Sequence, residues 1–192
     1  MTLPTLTTSR LILRALRDTD AQYVAELAGE WAVAGNTGRI PFPYTEIMAA
    51  EFIAYQSQAA KDGREWVFAV CRQDDASLLG CVGVSMEGDV AELGYWFGQQ
   101  HWGQGYATEA GRAVVDFAFV HARPTRIMSD HLPANVASGQ VLDKLGFEFC
   151  GLRTVNWRDG QAIDLLQYQL NCTDWAKTQT HEDLYDSVSA SQ

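Results

Sequence analysis

Nowhere does the chain run to the ~18 consecutive apolar residues that a bilayer-spanning helix needs, so no membrane span is expected. The opening stretch Met1–Arg10 lacks the apolar segment of a secretory signal, and the expectation is a soluble, cytoplasmic protein. Cysteine is sparse: Cys71, Cys81, Cys150 and Cys172 form no C-x-x-C pair, which argues against a zinc site or a disulfide framework. The four histidines are equally scattered, so no metal is expected. Basic residues are few, 14 Lys and Arg against 24 Asp and Glu, and the net charge of −10 disfavours nucleic acid and favours a cationic partner. Five prolines and 16 glycines in 192 residues exclude collagen-like and low-complexity classes. Apolar residues, at 47%, are plentiful enough for one full core.

Strand and helix patterns alternate. Leu11–Leu16 reads as a strand, Asp18 as the N-cap of a helix through Ala28, and 31–44 as a long loop. Thr45 caps a second helix, with Ile47, Met48, Phe52 and Tyr55 spaced for one apolar face. Three strands at hairpin spacing follow, Trp66–Cys71, Leu78–Ser85 and Val90–Phe97. Then come a helix over Ala107–His121, a strand over Arg126–His131, a helix over Val136–Leu145 and a closing hairpin, Phe147–Val155 with Ala162–Leu170. The class is α+β, a single domain over residues 1–170 with a mixed, mostly antiparallel sheet flanked by helices. Residues 171–192, acidic and rich in Ser and Thr, read as a loosely ordered tail with at most a short helical turn.

Chemistry concentrates in two segments. After the strand ending at Trp96 and Phe97 come Gly98, then Trp102-Gly103-Gln104-Gly105-Tyr106-Ala107-Thr108 running into a helix. Glycines let successive N–H groups converge, and a helix N-terminus adds partial positive charge, a combination that holds phosphate without basic side chains. The dinucleotide fingerprint fails because Thr108 takes the third glycine position, and no Gly-Lys-Ser/Thr occurs. Glycine loop and helix alone leave a plain structural turn open. In the second segment Asn135 is a good N-cap and Gly146 a good terminator. Ser138 shares the inward face of Val141, Leu142 and Leu145, where its hydroxyl needs a partner, from the backbone or from a ligand.

The pair W-G-Q-G-Y-A-T-E-A and N-V-A-S-G-Q-V-L-D-K-L-G-F resembles the GNAT acetyltransferase superfamily, specifically the Rim-type branch that acetylates ribosomal-protein N-termini. The opening T-S-R-L-I-L-R and the closing W-R-D-G-Q-A-I-D extend the resemblance over about residues 6 to 170. It implies a GNAT fold with a splayed strand pair and acetyl-CoA as co-substrate. The coenzyme would lie on Trp96, Phe97, Gly98 and the 102–108 loop, with Asn135 and Ser138 near its pantetheine and thiol end. Homodimers are common among such relatives.

Moving an acetyl group from a thioester to an amine requires an amine that loses its proton, donors for the developing oxyanion and a route for the leaving thiolate. Glu92, on the strand face of Gly94 and Trp96, is the first candidate base, with His131 its rival. Ser138 is the candidate acid or sulfur partner, with Tyr95 and Tyr106 as substitutes, and the amides of Trp96–Gly98 are the oxyanion donors. Glu109, in a first helical turn, reads as structural. Trp31, Phe42, Tyr44 and Trp157 are candidates for cradling a cationic amine, whether an N-terminus, a polyamine or an aminoglycoside. The contrasting class is a non-catalytic acyl-CoA-binding sensor.

Overall fold

Trp66, Phe68 and Val70 are buried on one face of their strand, and Ala69 and Cys71 on the other, so this strand lies between two cores. The computed structural model describes residues 3–179 and contains one eight-stranded sheet. Its strands are β1 (Leu6–Thr7), β2 (Leu11–Ala15), β3 (Glu65–Arg72), β4 (Leu78–Glu87), β5 (Val90–Phe97), β6 (Arg126–His131), β7 (Glu148–Asn156) and β8 (Ala162–Asn171), in the order β1-β2-β3-β4-β5-β6-β8-β7. All neighbours are antiparallel except β5 and β6, whose parallel register runs only from Val90↔Arg126 to Glu92↔Met128. Beyond Glu92 the two strands part. No helix among the described residues is long and apolar enough to cross a membrane.

The larger core packs α4 (Tyr106–Phe117) and α5 (Val136–Lys144) on the sheet face presented by Trp66, Phe68, Val82, Val84 and Leu93. The smaller core packs α1 (Ala21–Ala28) and α3 (Glu46–Lys61) against Ala69, Cys71 and Leu78, with Trp96 beside them. A short helix α2 (Trp31–Ala34) opens the expected 31–44 loop. In α3 Thr45 is the N-cap, as its side chain accepts from the Met48 amide. The expected apolar face is displaced, however. Ile47, Met48 and Tyr55 are exposed, and the buried residues are Ala49, Ile53, Gln56, Ala59 and Ala60, whose alanines let the helix lie close to the sheet.

The tail departs from expectation as well. β8 runs through Asn171, and residues 172–179 are helical, with the Trp175 ring stacked on Phe119 at 4.9 Å and its Nε1 donating to Asp116 at 2.6 Å. One large indole gave this segment an anchor that its polar composition concealed. Residues 180–192 lie outside the described residues.

Gly80 fixes how closely β4 and β5 can approach. A Cβ there would lie 2.1 Å from the Trp96 carbonyl oxygen and 2.7 Å from the Phe97 Cα, both backbone atoms that cannot swing aside. Gly80→Ala is expected to lower unfolding free energy by about 1–3 kcal/mol, read by denaturant titration.

Candidate active site

The 98–108 segment leaves β5 through a short 3₁₀ turn (Gln99–His101), and Gly103 and Gly105 take positive φ of 72° and 81°. Those angles are closed to most side chains, so glycine is required where the loop bends into α4. The first bond inside α4 runs from the Glu109 amide to the Gly105 carbonyl, so the amides of 105–108 have no intrahelical partner and sit at the positive end of the helix. Gly103, Gly105, Tyr106, Ala107 and Thr108 line a cleft of about 840 Å³. Gln104 does not line it: its side chain donates to the Gln100 carbonyl and its own carbonyl accepts from Arg10. Trp102 donates from Nε1 to the Phe97 carbonyl at 2.7 Å, tying the loop to the strand end.

Glu109 holds the same loop from behind. It accepts from Thr8 Oγ1 at 2.6 Å, Ser9 Oγ at 3.0 Å and the Arg10 amide and Nε at 2.9 and 2.7 Å. Burial pushes its pKa up, but this ring of donors outweighs burial and holds it below the usual carboxylate range. Arg10 in turn lies over the Tyr106 ring at 4.6 Å. The structural reading of Glu109 fits this geometry.

The parting of β5 from β6 opens the middle of the cleft. Gly98 donates its amide to the Leu79 carbonyl at 3.0 Å. Antiparallel alternation therefore commits the amides of Trp96 and Gly94 to β4 as well, and turns those of Tyr95 and Phe97 toward the gap. The expected oxyanion donors Trp96–Gly98 thus reduce to Phe97, joined by Tyr95. Gly98 itself does not line the cleft. Ser129 Oγ donates to the Leu93 carbonyl at 2.9 Å and closes the gap at its narrow end.

On the α5 side, Asn135 caps the helix, its Oδ1 accepting from the Ser138 amide at 3.3 Å. The Ser138 hydroxyl lies 2.8 Å from the Tyr95 hydroxyl, so the strand and the helix N-terminus meet in one hydrogen-bonded pair within the cleft. Burial pushes the Tyr95 phenol up to about 12, which keeps it protonated at neutral pH. His131 is 6% exposed, with Nδ1 against the Leu132 carbonyl and its ring stacked on Tyr168. A Cβ on Gly139 would touch its Nε2 at 2.8 Å, so the imidazole faces α5 and not the opposite sheet face that carries Glu92.

That opposite face holds an arrangement the sequence reading did not anticipate. Glu92 is bound by Arg39 at 3.1 Å and by Arg153 at 3.4 Å. Arg153 also reaches Asp130 at 2.7 Å, bridging the two carboxylates. Asp130 lies two residues beyond Met128, the register partner of Glu92, and so stands on the same face at the mouth of the gap. Burial pushes its pKa up, Glu92 adds to this, and Arg153 and Arg39 oppose it.

Of the four acceptor candidates, Tyr44 and Trp157 line the cleft, whereas Trp31 and Phe42 pack edge-on against each other at 4.9 Å outside it. Arg158, on the β7–β8 hairpin, gathers the carbonyls of Ala34, Thr37 and Ile40 and pins this loop over the cleft.

The family model for the acetyltransferase (GNAT) domain matches residues 10–148. An uncharacterized N-acetyltransferase, YoaA of Bacillus subtilis, is 30% identical over 174 residues, 87% of this chain and 96% of that protein. The Escherichia coli ribosomal protein uS5-alanine N-acetyltransferase is 28% identical over 182 residues, 88% of this chain and 92% of its own length. Among solved structures, Mycobacterium smegmatis RimJ in complex with a coenzyme A disulfide superimposes with a TM-score of 0.75 at 23% identity, covering 84% of this chain and 81% of that one.

Proposed function

The chain belongs to the GNAT acetyltransferase family, and from that footing we propose that it moves the acetyl group of acetyl-CoA directly onto a primary amine, with a protein or peptide N-terminus the favoured acceptor. One observation carries the reading: a single cleft joins the partnerless amides of the α4 N-terminus, the β5–β6 gap and the Glu92–Asp130 carboxylates. The donor set fits the coenzyme, since neutral amides at a helix N-terminus suit a pyrophosphate in a protein of net charge −10. The unpaired edge of β5 suits an extended amide-bearing arm. When bound, acetyl-CoA supplies an acyl group activated on sulfur.

The chain's own residues supply the rest. Asp130, with Glu92 beside it, accepts the proton of the incoming amine, and Arg153 fixes both carboxylates. The Tyr95 and Phe97 amides face the place where negative charge develops on a carbonyl oxygen. The Tyr95–Ser138 pair presents a hydroxyl proton to the leaving side. Tyr95→Phe is expected to lower kcat roughly tenfold, the worth of one hydrogen bond to a charged partner, with KM for acetyl-CoA unchanged.

The test is thiol release from acetyl-CoA while N-terminal peptides, lysine peptides, polyamines and aminoglycosides are offered in turn, with thermal shift recorded alongside. Turnover with one class identifies the acceptor. A thermal shift with acetyl-CoA but no turnover would overturn these four acceptor classes and leave another acceptor or a binding-only sensor, and the absence of both signals would overturn the assignment of the 102–108 loop.

A further inference from the structure

On the acceptor side of the sheet, residues of β3, β4 and β5 that share a face fall into rows. Val67, Gly83 and Gly94 form one row, and Glu65, Ser85 and Glu92 the next. The first row lacks side chains at Gly83 and Gly94; Val67 Cγ2 closes over Gly83, where a Cβ would lie 2.7 Å from it, but a Cβ on Gly94 would meet nothing within 4 Å, so the floor is a trough that is deepest at Gly94. It runs from the Glu92–Asp130 end beneath α3, where Phe52, Tyr55 and Gln56 line it together with Tyr44. Gln56 is 6% exposed, and its Oε1 has no hydrogen-bond partner. A buried amide in that condition is uncommon unless a ligand completes it.

The two ends of the trough differ electrically. At the gap, Glu92 is balanced by Arg39 and Arg153, which repel an ammonium and favour the neutral amine that must react. At the far end, Glu65 and Gln56 offer acceptors to a donor, with the Ser85 hydroxyl between the ends. Glu65 and Glu92 are two strands apart, a separation of about 10 Å between their backbones.

Resting on the amine-acetyltransferase reading above, we propose that this trough selects acceptors carrying a second cationic amino group, held by Glu65 and Gln56 while the first amine sits at Asp130. Aromatic walls cover the methylene chain between the two groups and stabilise charge at its end. The shared chemistry is a primary amine with a second ammonium several methylenes away. A linear diamine has it, and so does an N-terminal lysine residue.

The experiment is calorimetric binding to the coenzyme A-saturated protein, which does not depend on turnover. The probes are diaminopropane through diaminooctane against alkyl monoamines of equal length, and peptides opening on lysine against the same peptides opening on norleucine. Dications are expected to bind about tenfold or more tightly than their uncharged-end counterparts, with an optimum at an intermediate chain length. Glu65→Gln and, separately, Gln56→Met are expected to bring dication affinity down to the monoamine level, while Glu51→Gln on the exposed side of α3 removes equal charge without effect. Preference confined to diamines assigns a small-molecule acceptor, and preference confined to lysine peptides assigns a protein one. Equal affinity for dications and monocations, or an unaltered preference in both Glu65→Gln and Gln56→Met, overturns the proposal. Selective binding without any acetyl transfer leaves the subsite standing and removes the transferase reading.

Discussion

Asp130→Asn is expected to lower kcat/KM for the amine by about 10²–10⁴, the usual worth of a positioned proton acceptor, while acetyl-CoA binding persists. The pH dependence separates this role from a structural one. Burial first, and Glu92 second, push the Asp130 pKa up, with Arg153 and Arg39 opposing. The working form is the carboxylate, so kcat/KM should fall as pH drops through that raised pKa, above the ordinary aspartate range of ~3.9. In Asp130→Asn the limb disappears. Glu92→Gln removes a neighbour that raises the pKa and should move the limb to lower pH, and Arg153→Ala removes one that lowers it and should move it to higher pH. A limb that stays in place in both variants would falsify Asp130 as the titrating group.

Asp20→Ala carries the largest expected cost in stability, about 3–5 kcal/mol, because it leaves Arg14 half of a buried ion pair. Asp20 is 5% exposed, and its carboxylate binds Arg14 through two hydrogen bonds of 2.7 and 2.8 Å and the Arg17 amide at 2.8 Å. Burial pushes its pKa up, but Arg14 and the Arg17 amide more than offset this, and the folded value lies below the ordinary one. A depressed folded pKa contributes stability that is complete above the unfolded value and lost as pH falls through the folded one. Wild-type stability should therefore drop on acidification below about pH 4, and Asp20→Asn, weakened at neutral pH, should drop less over that window. Denaturant titrations at stepped pH measure both.

The sequence carried most of the fold because its signals are local. Val90–Phe97 and Arg126–His131 are bounded by Gly88, Gly98, Pro124 and Pro133, and their extents match the expected ones residue for residue. The glycines at 103 and 105 announced a bend into α4, and both adopt the backbone angles that required them. What escaped notice depends on contacts between distant segments. Arg39, Glu92, Asp130 and Arg153 come from four separate elements, and no spacing rule connects them. The α3 face was misjudged because alanine carries little hydrophobic signal yet permits the closest packing, while Ile47 looks like a core residue and faces solvent. Trp31 and Phe42 satisfied each other and left the cleft to Tyr44 and Trp157.

The clasp of Glu109 on residues 8–10 joins the first strands to the loop that would carry the coenzyme. Whatever is ordered by ligand at one end of such a clasp is held more firmly at the other, and the coupling runs equally in both directions. A protease attacking the Thr8–Arg10 bend should accordingly cut more slowly once coenzyme A is added. Loosening that bend by Thr8→Ala should weaken coenzyme affinity and lessen the protection from proteolysis that coenzyme A confers.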